Sequence, residues 1–352
     1  MSLSERLDSY QRRHRWAGFA LAVIYKFTDD SGTYLAALLT YYGFVSFFPL
    51  LLLFSTILGF VLRGNPGLQH QLLHSALQEF PVIGPQLASP EKLGGGFTGL
   101  VVGILVTLYG GLGIAQAVQY TMNTAWAVPK HRRPNPFAAR GRSILLLCSV
   151  GLAVLCTSGL SALGSSGGAF GAQFGLGLHV ALTAVSMLIN AVVFVLAFKL
   201  ATPRPLTVRQ VAPGALTAAL AWQVLQSFGG RYVGHVVKTS SATNAVFALV
   251  LGLLAFFYLA SIAFVFCVEI DVVRVDRLYP RSLLTPFTDN VQLTRGDEKV
   301  YADAARSQSA KGFERIEVRF DPSPPERAAE EAGTADRSDT VEGTAPERSG
   351  RE

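Results

Sequence analysis

The stretch FFYLASIAFVFCVEIDVVR (256–274) stays apolar until a carboxylate, Glu269, appears where the apolar run stops. Three kinds of chemistry suit such an acid. It can face water beyond a membrane edge, it can be a structural plug paired with a cation, or it can handle a substrate or a proton. The cations in reach by sequence are Arg274 on the same helix and Arg140 and Arg142 in a facing loop. Tyr258 lies on the same helix face as Glu269, about 20° away at 3.6 residues per turn. A second polar face is formed by Gln116, Gln119 and Asn123, spaced i, i+3 and i+7, and a third group by Tyr41, Tyr42 and Ser46. Each reads either as hydrogen bonding between helices or as the lining of a wet vestibule. Pro49 falls inside FFPLLLLF and predicts a helix kink, as a bend or as a hinge. His70 and His74 are four apart but have no third ligand in sight, so no metal site is expected. The chain has no zinc-protease, phosphate-loop or nucleophile-elbow motif. The expectation is therefore a protein that is not an enzyme and needs no cofactor.

The elements that must position these residues are membrane helices. The chain has 352 residues, 50% hydrophobic and 15% charged, with a mean hydropathy of +0.36. That is too apolar for an ordinary soluble domain. The net charge of +6 comes from basic residues in short loops rather than from a basic face, which argues against a nucleic-acid partner. Cys148, Cys156 and Cys267 lie within apolar runs with no pairing or metal spacing. Six stretches approach the roughly 20 residues a bilayer requires: 35–62, 97–125, 143–163, 178–200, 211–228 and 245–268. The fifth is the weakest. The flanks on one side hold thirteen Lys and Arg and those on the other hold four, which predicts both termini in the cytoplasm.

The architecture expected is all-α: a polytopic bundle of six transmembrane helices with an N-terminal interfacial helix and a disordered C-terminal tail. Residues 1–34 form the N-terminal amphipathic segment, in which Trp16, Phe19, Val23 and Phe27 repeat at helical spacing behind a basic cluster. This face suits either a lipid surface or packing on the bundle. Residues 35–285 are the membrane domain and 286–352 a charged cytoplasmic tail. A short outer helix is read at 68–80. Small residues at steps of four, Gly95, Gly99, Gly103, Thr107, Gly111 and Ala115, mark a face for close helix contact.

The segments LTYYGFVSFFPLLLLF, QAVQYTMNTAWAVP, APGALTAALAW and LGLLAFFYLASIAFVFCVEID, in this order and spacing, resemble the YihY/BrkB family of bacterial membrane proteins. The resemblance spans roughly residues 10–285. It implies six spans in the cytoplasmic membrane and an acid at Glu269 in the last of them, and it leaves the tail outside. A ribonuclease label has been attached to the family, but no acid cluster or basic surface in this sequence supports it. The function expected is transporter-like, for a lipid or envelope component, with Tyr41, Asn123 and Glu269 along a path that opens to the cytoplasm. The alternative is a scaffold for envelope assembly. Membrane lipids are the expected partners, with envelope-assembly proteins or a second copy of the chain as further ones.

Overall fold

The computed structural model describes residues 3–61, 97–166, 176–239 and 242–322, together with 324 and 327. Nine α-helices lie in these stretches. They are α1 (Leu3–Arg13), α2 (Arg15–Asp29), α3 (Gly32–Val61), α4 (Phe97–Ala125), α5 (Pro136–Ser166), α6 (Leu176–Ala201), α7 (Val208–Thr239), α8 (Ala242–Asp276) and α9 (Arg295–Ser307). No strand occurs among the described residues. The six long helices, α3 to α8, cover the six apolar stretches of the sequence. Three described segments are long and apolar enough to cross a membrane: Pro136–Thr157, Thr183–Ala201 and Val250–Asp276. The outer helix expected at 68–80, with His70 and His74, and Gly95 lie outside the described residues.

The long helices form a closed ring of neighbours. α3 packs on α4 and α8, α8 on α7, α7 on α6, α6 on α5, and α5 back on α4. Burial in this ring runs opposite to that of a soluble protein. Leu105, Leu152, Leu188, Leu220 and Leu259 are exposed, while Thr40, Ser46, Gln119, Asn123, Glu269 and Asp271 are buried. Lipid tails solvate leucine as well as a protein core does, so polar groups turn inward to find each other. α3 continues through Pro49 as one helix. At the α3–α4 contact, a Cβ on Gly110 would stand 2.8 Å from the Ser46 Cα, and one on Gly113 would overlap the Tyr42 ring. The close approach therefore uses these two glycines, beside the Gly111 and Ala115 positions of the predicted stripe.

The flanks take definite positions. α2, expected as an interfacial helix whose face suited either a lipid surface or the bundle, packs along α8 with Val23, Tyr25, Lys26 and Phe27 buried. The Phe27 ring stacks on Phe266 at 4.1 Å, while Trp16 stays exposed. The charged segment from 286 was expected to be disordered, but residues 295–307 form α9. Thr294 and Asp297 cap it reciprocally, and Asp297 and Val300 are buried. Capping satisfies the free N–H groups of the first turn, which lets a short polar helix persist where it also has a packed face. Most of the chain beyond 322 lies outside the described residues.

Candidate functional site

Helices α2, α3, α4, α8 and α9 converge at one end of the bundle, and there the protein buries its charges. Glu269 sits on α8 with no exposed surface, and neither of its oxygens meets a donor among the described groups. The nearest cation is the Lys26 ammonium of α2, 3.9 Å away. Lys26 is almost fully buried. It also donates to the Asp30 carboxyl and to the Ala125 carbonyl at the end of α4 (3.2 Å). Lys26 and Asp30 are four apart, the spacing that brings side chains together on a helical turn. The tight passage from α2 into α3 fixes them: Ser31 has φ 55°, and a Cβ on Gly32 would run into the Phe27 ring.

A second buried cation closes the same end. Arg281, fully buried in the segment after α8, bonds Asp297 of α9 and Asp29 of α2 (3.0 Å). Around it, Asp297 accepts from the Ser282 N–H (3.0 Å), Asp8 accepts from the Leu283 N–H (3.0 Å), and the Gln11 amide donates to the Arg281 carbonyl (2.6 Å). The segment leaving the last long helix is thereby tied to both N-terminal helices. Burial works against both cations. The negative charge of Glu269 and Asp30 more than offsets it at Lys26, and that of Asp297 and Asp29 does so at Arg281, so both end above their ordinary values. Burial likewise pushes the Asp30 carboxyl up, against the pull of Lys26.

Between these groups lies a cavity of about 450 Å³. Lys26, Asp29, Asp30, Asp276 and Asp303 give it charge, and Leu35, Leu38 and Val272 give it apolar wall. Asp276 is held by a bidentate Arg204 (2.7 and 2.9 Å), whose guanidinium lies over the Trp126 ring at 4.7 Å. Asp303, half-buried, is raised by burial. Among the described residues no group of three His, Cys, Asp or Glu is placed to hold a metal ion.

Most residues singled out in the sequence lie elsewhere. Gln119 donates to the Ser143 hydroxyl (2.9 Å) and the Ala139 carbonyl (3.0 Å), Asn123 accepts from Thr202 (3.1 Å), and Ser46 bonds back to the Tyr42 carbonyl (2.6 Å). These are bonds within and between helices. Tyr41 and Gln116 are exposed, and Tyr42 and Tyr258 are half-buried. None of the eight proposed path residues lines the cavity, although Glu269 lies directly behind Lys26 in its wall. None of the three arginines proposed for Glu269 forms an ion pair with it among the described residues. Arg274 reaches backbone carbonyls of α7 and comes within 3.8 Å of Asp271, Arg140 is exposed, and Arg142 is half-buried. The ion-pair partner of Glu269 is Lys26 instead. Lys26 is buried on α2, which packs along α8, whereas Arg140 and Arg142, expected in a loop, lie on α5.

The family model described as virulence factor BrkB matches residues 23–289. The chain belongs to the BrkB family. With its apolar helices, this BrkB-family chain is an integral membrane protein. The matched region starts within α2 and ends before α9, so it contains Lys26, Asp29, Asp30, Glu269 and Arg281 but not Asp297. No curated protein and no solved structure matches the chain.

Proposed function

We propose that this BrkB-family protein is a transporter-like protein of the bacterial cytoplasmic membrane, without catalytic activity, that moves a lipid or another envelope component. Six spans with both termini in the cytoplasm fit the distribution of Lys and Arg. The observation that carries the reading is the charged cavity of about 450 Å³ at the end where α2, α3, α4, α8 and α9 meet. Its volume falls in the range of ligand pockets, and its mix of charged and apolar wall suits a polar head group with an alkyl neighbour. By the same charge distribution this end faces the cytoplasm. Paired and buried charges are expensive to keep inside a membrane bundle, which makes a purely structural reason for so many of them weak.

The test is movement of a head-group-labelled lipid between leaflets of proteoliposomes, read with an outside quencher. Wild type is expected to move the label, and Thr124→Trp, which fills the cavity from α4 without removing a charge, is expected to slow it tenfold or more. Absence of protein-dependent movement in both zwitterionic and anionic bilayers would remove lipid as the cargo.

A further inference from the structure

The buried end of the bundle does not balance its charge. Lys26 and Arg281 face the four carboxyls of Asp29, Asp30, Glu269 and Asp297. Arg281 is committed to Asp29 and Asp297, which leaves Lys26 alone with Asp30 and Glu269. The other charged groups of the surrounding elements are occupied. On α8, Asp271 accepts from the Gly214 N–H of α7, Arg274 bonds carbonyls of α7, and Asp276 holds Arg204. On α9, Lys299 donates to the Asp276 carbonyl, and Asp303 sits near Arg306 at 3.6 Å. Of titratable groups, α3 and α4 give the cavity wall only Tyr34 and Tyr120.

Two ionised carboxylates beside one ammonium would leave a net negative charge in a site shielded from water. That is unfavourable by several kcal/mol after relaxation. One further positive charge removes it. The carboxyls of Asp30 and Glu269 both stand within 4 Å of the one Lys26 ammonium. Ionised carboxylates only accept, so two of them crowded on one cation are eased when one carries a hydrogen. Both Glu269 oxygens lack a donor among the described groups. Asp30 lines the cavity and Glu269 does not, so the pair runs from the cavity surface into the last long helix.

We propose that Asp30 and Glu269, held by Lys26, form a proton-binding site that keeps one exchangeable proton between them and opens to the cavity. The bound form is an Asp30 or Glu269 carboxylic acid donating to the other carboxylate, and release sends the proton to water in the cavity. The role of this proton as the coupling ion for cargo rests on the transport reading above. The site itself does not.

The experiment is a pH titration of the full-length protein in detergent, followed by the infrared carbonyl stretch of protonated carboxylic acid and its shift in deuterium oxide. Wild type is expected to show an exchangeable acid band at neutral pH that disappears in Glu269→Gln and in Asp30→Asn. Lys26→Met is expected to strengthen the band, because without the ammonium both carboxyls take protons. A wild type lacking the band at neutral pH overturns the proposal, and needs no variant to fold. A band that survives both substitutions in folded protein, judged by helix content and monodispersity, also overturns it. The band is read without cargo, so a failure of lipid movement leaves this result standing.

Discussion

Arg274 on α8 donates to the Arg209 carbonyl (3.0 Å), the oxygen that Pro213 leaves without its helical N–H. The same guanidinium nitrogen reaches the Gln210 carbonyl (2.6 Å), and Asp271, one turn earlier, accepts from the Gly214 N–H (2.8 Å). A proline inside a helix removes the bond to the carbonyl four residues back. In a membrane the freed groups must be satisfied by a neighbour. Asp271 and Arg274 of α8 do this for α7. Gly214 is required because a Cβ there would overlap the Asp271 carboxyl and the Cys267 carbonyl.

If Arg274 repairs the gap at Pro213, removing the gap should lessen the need for the arginine. Arg274→Ala is expected to destabilise the detergent-solubilised protein by about 0.5–1.5 kcal/mol, the net worth of an ordinary hydrogen bond, because the Arg209 carbonyl it serves is exposed. In a Pro213→Ala background, where residue 213 supplies its own N–H, the same substitution should have a smaller effect. Thermal unfolding of the four proteins measures the difference, and equal losses in both backgrounds would sink the explanation.

Arg281 gives a second prediction because its fully buried side chain joins three segments. Arg281→Ala strands the Asp297 carboxylate and is expected to destabilise by about 3–5 kcal/mol. Arg281→Met combined with Asp297→Asn removes both charges and should recover most of that loss, since a neutral pair of similar volume often packs as well as an ion pair. Denaturant unfolding reads both. A double variant as weak as the single one would mean that Arg281 acts through something other than its buried charge.

The positions of the long helices were legible because a bilayer imposes length and hydrophobicity on any sequence that crosses it. Even the weak fifth stretch, with Trp222 and Gln223, became part of α7. Glu269 was legible as an anomaly, but its partner was not, since Lys26 lies far away in sequence and its charge had been read only as a marker of orientation. Lys26 and Asp30 at i, i+4 in an otherwise apolar face were the available signal. Arg281 left none, because its partners come from α2 and α9 and no local spacing encodes that meeting. α9 did leave a trace, Thr294 followed three residues later by Asp297. The acidic composition beyond it dominated the reading of the tail. Gln119 and Asn123 show the converse. Their shared face was correctly read, and the structure spends it on bonds to Ser143 and Thr202.

The close contact between α3 and α4 offers the last test. Gly110 packs against Ser46 so closely that an added Cβ would lie 2.8 Å from a backbone atom, which cannot rotate away as a side chain can. Close packing through small residues is the principal attraction between helices in lipid, so α3 and α4 would have to separate along the contact. Gly110→Ala is expected to destabilise by about 1–3 kcal/mol, the typical effect of overpacking. Gly151→Ala on α5 is the control. Nothing lies within 4 Å of its Cβ, and alanine is the better helix former by about 1 kcal/mol, so this variant should be neutral or stabilised. Melting temperatures of the two variants should therefore move in opposite directions. A Gly110→Ala protein as stable as wild type would show that the two helices do not meet at Ser46.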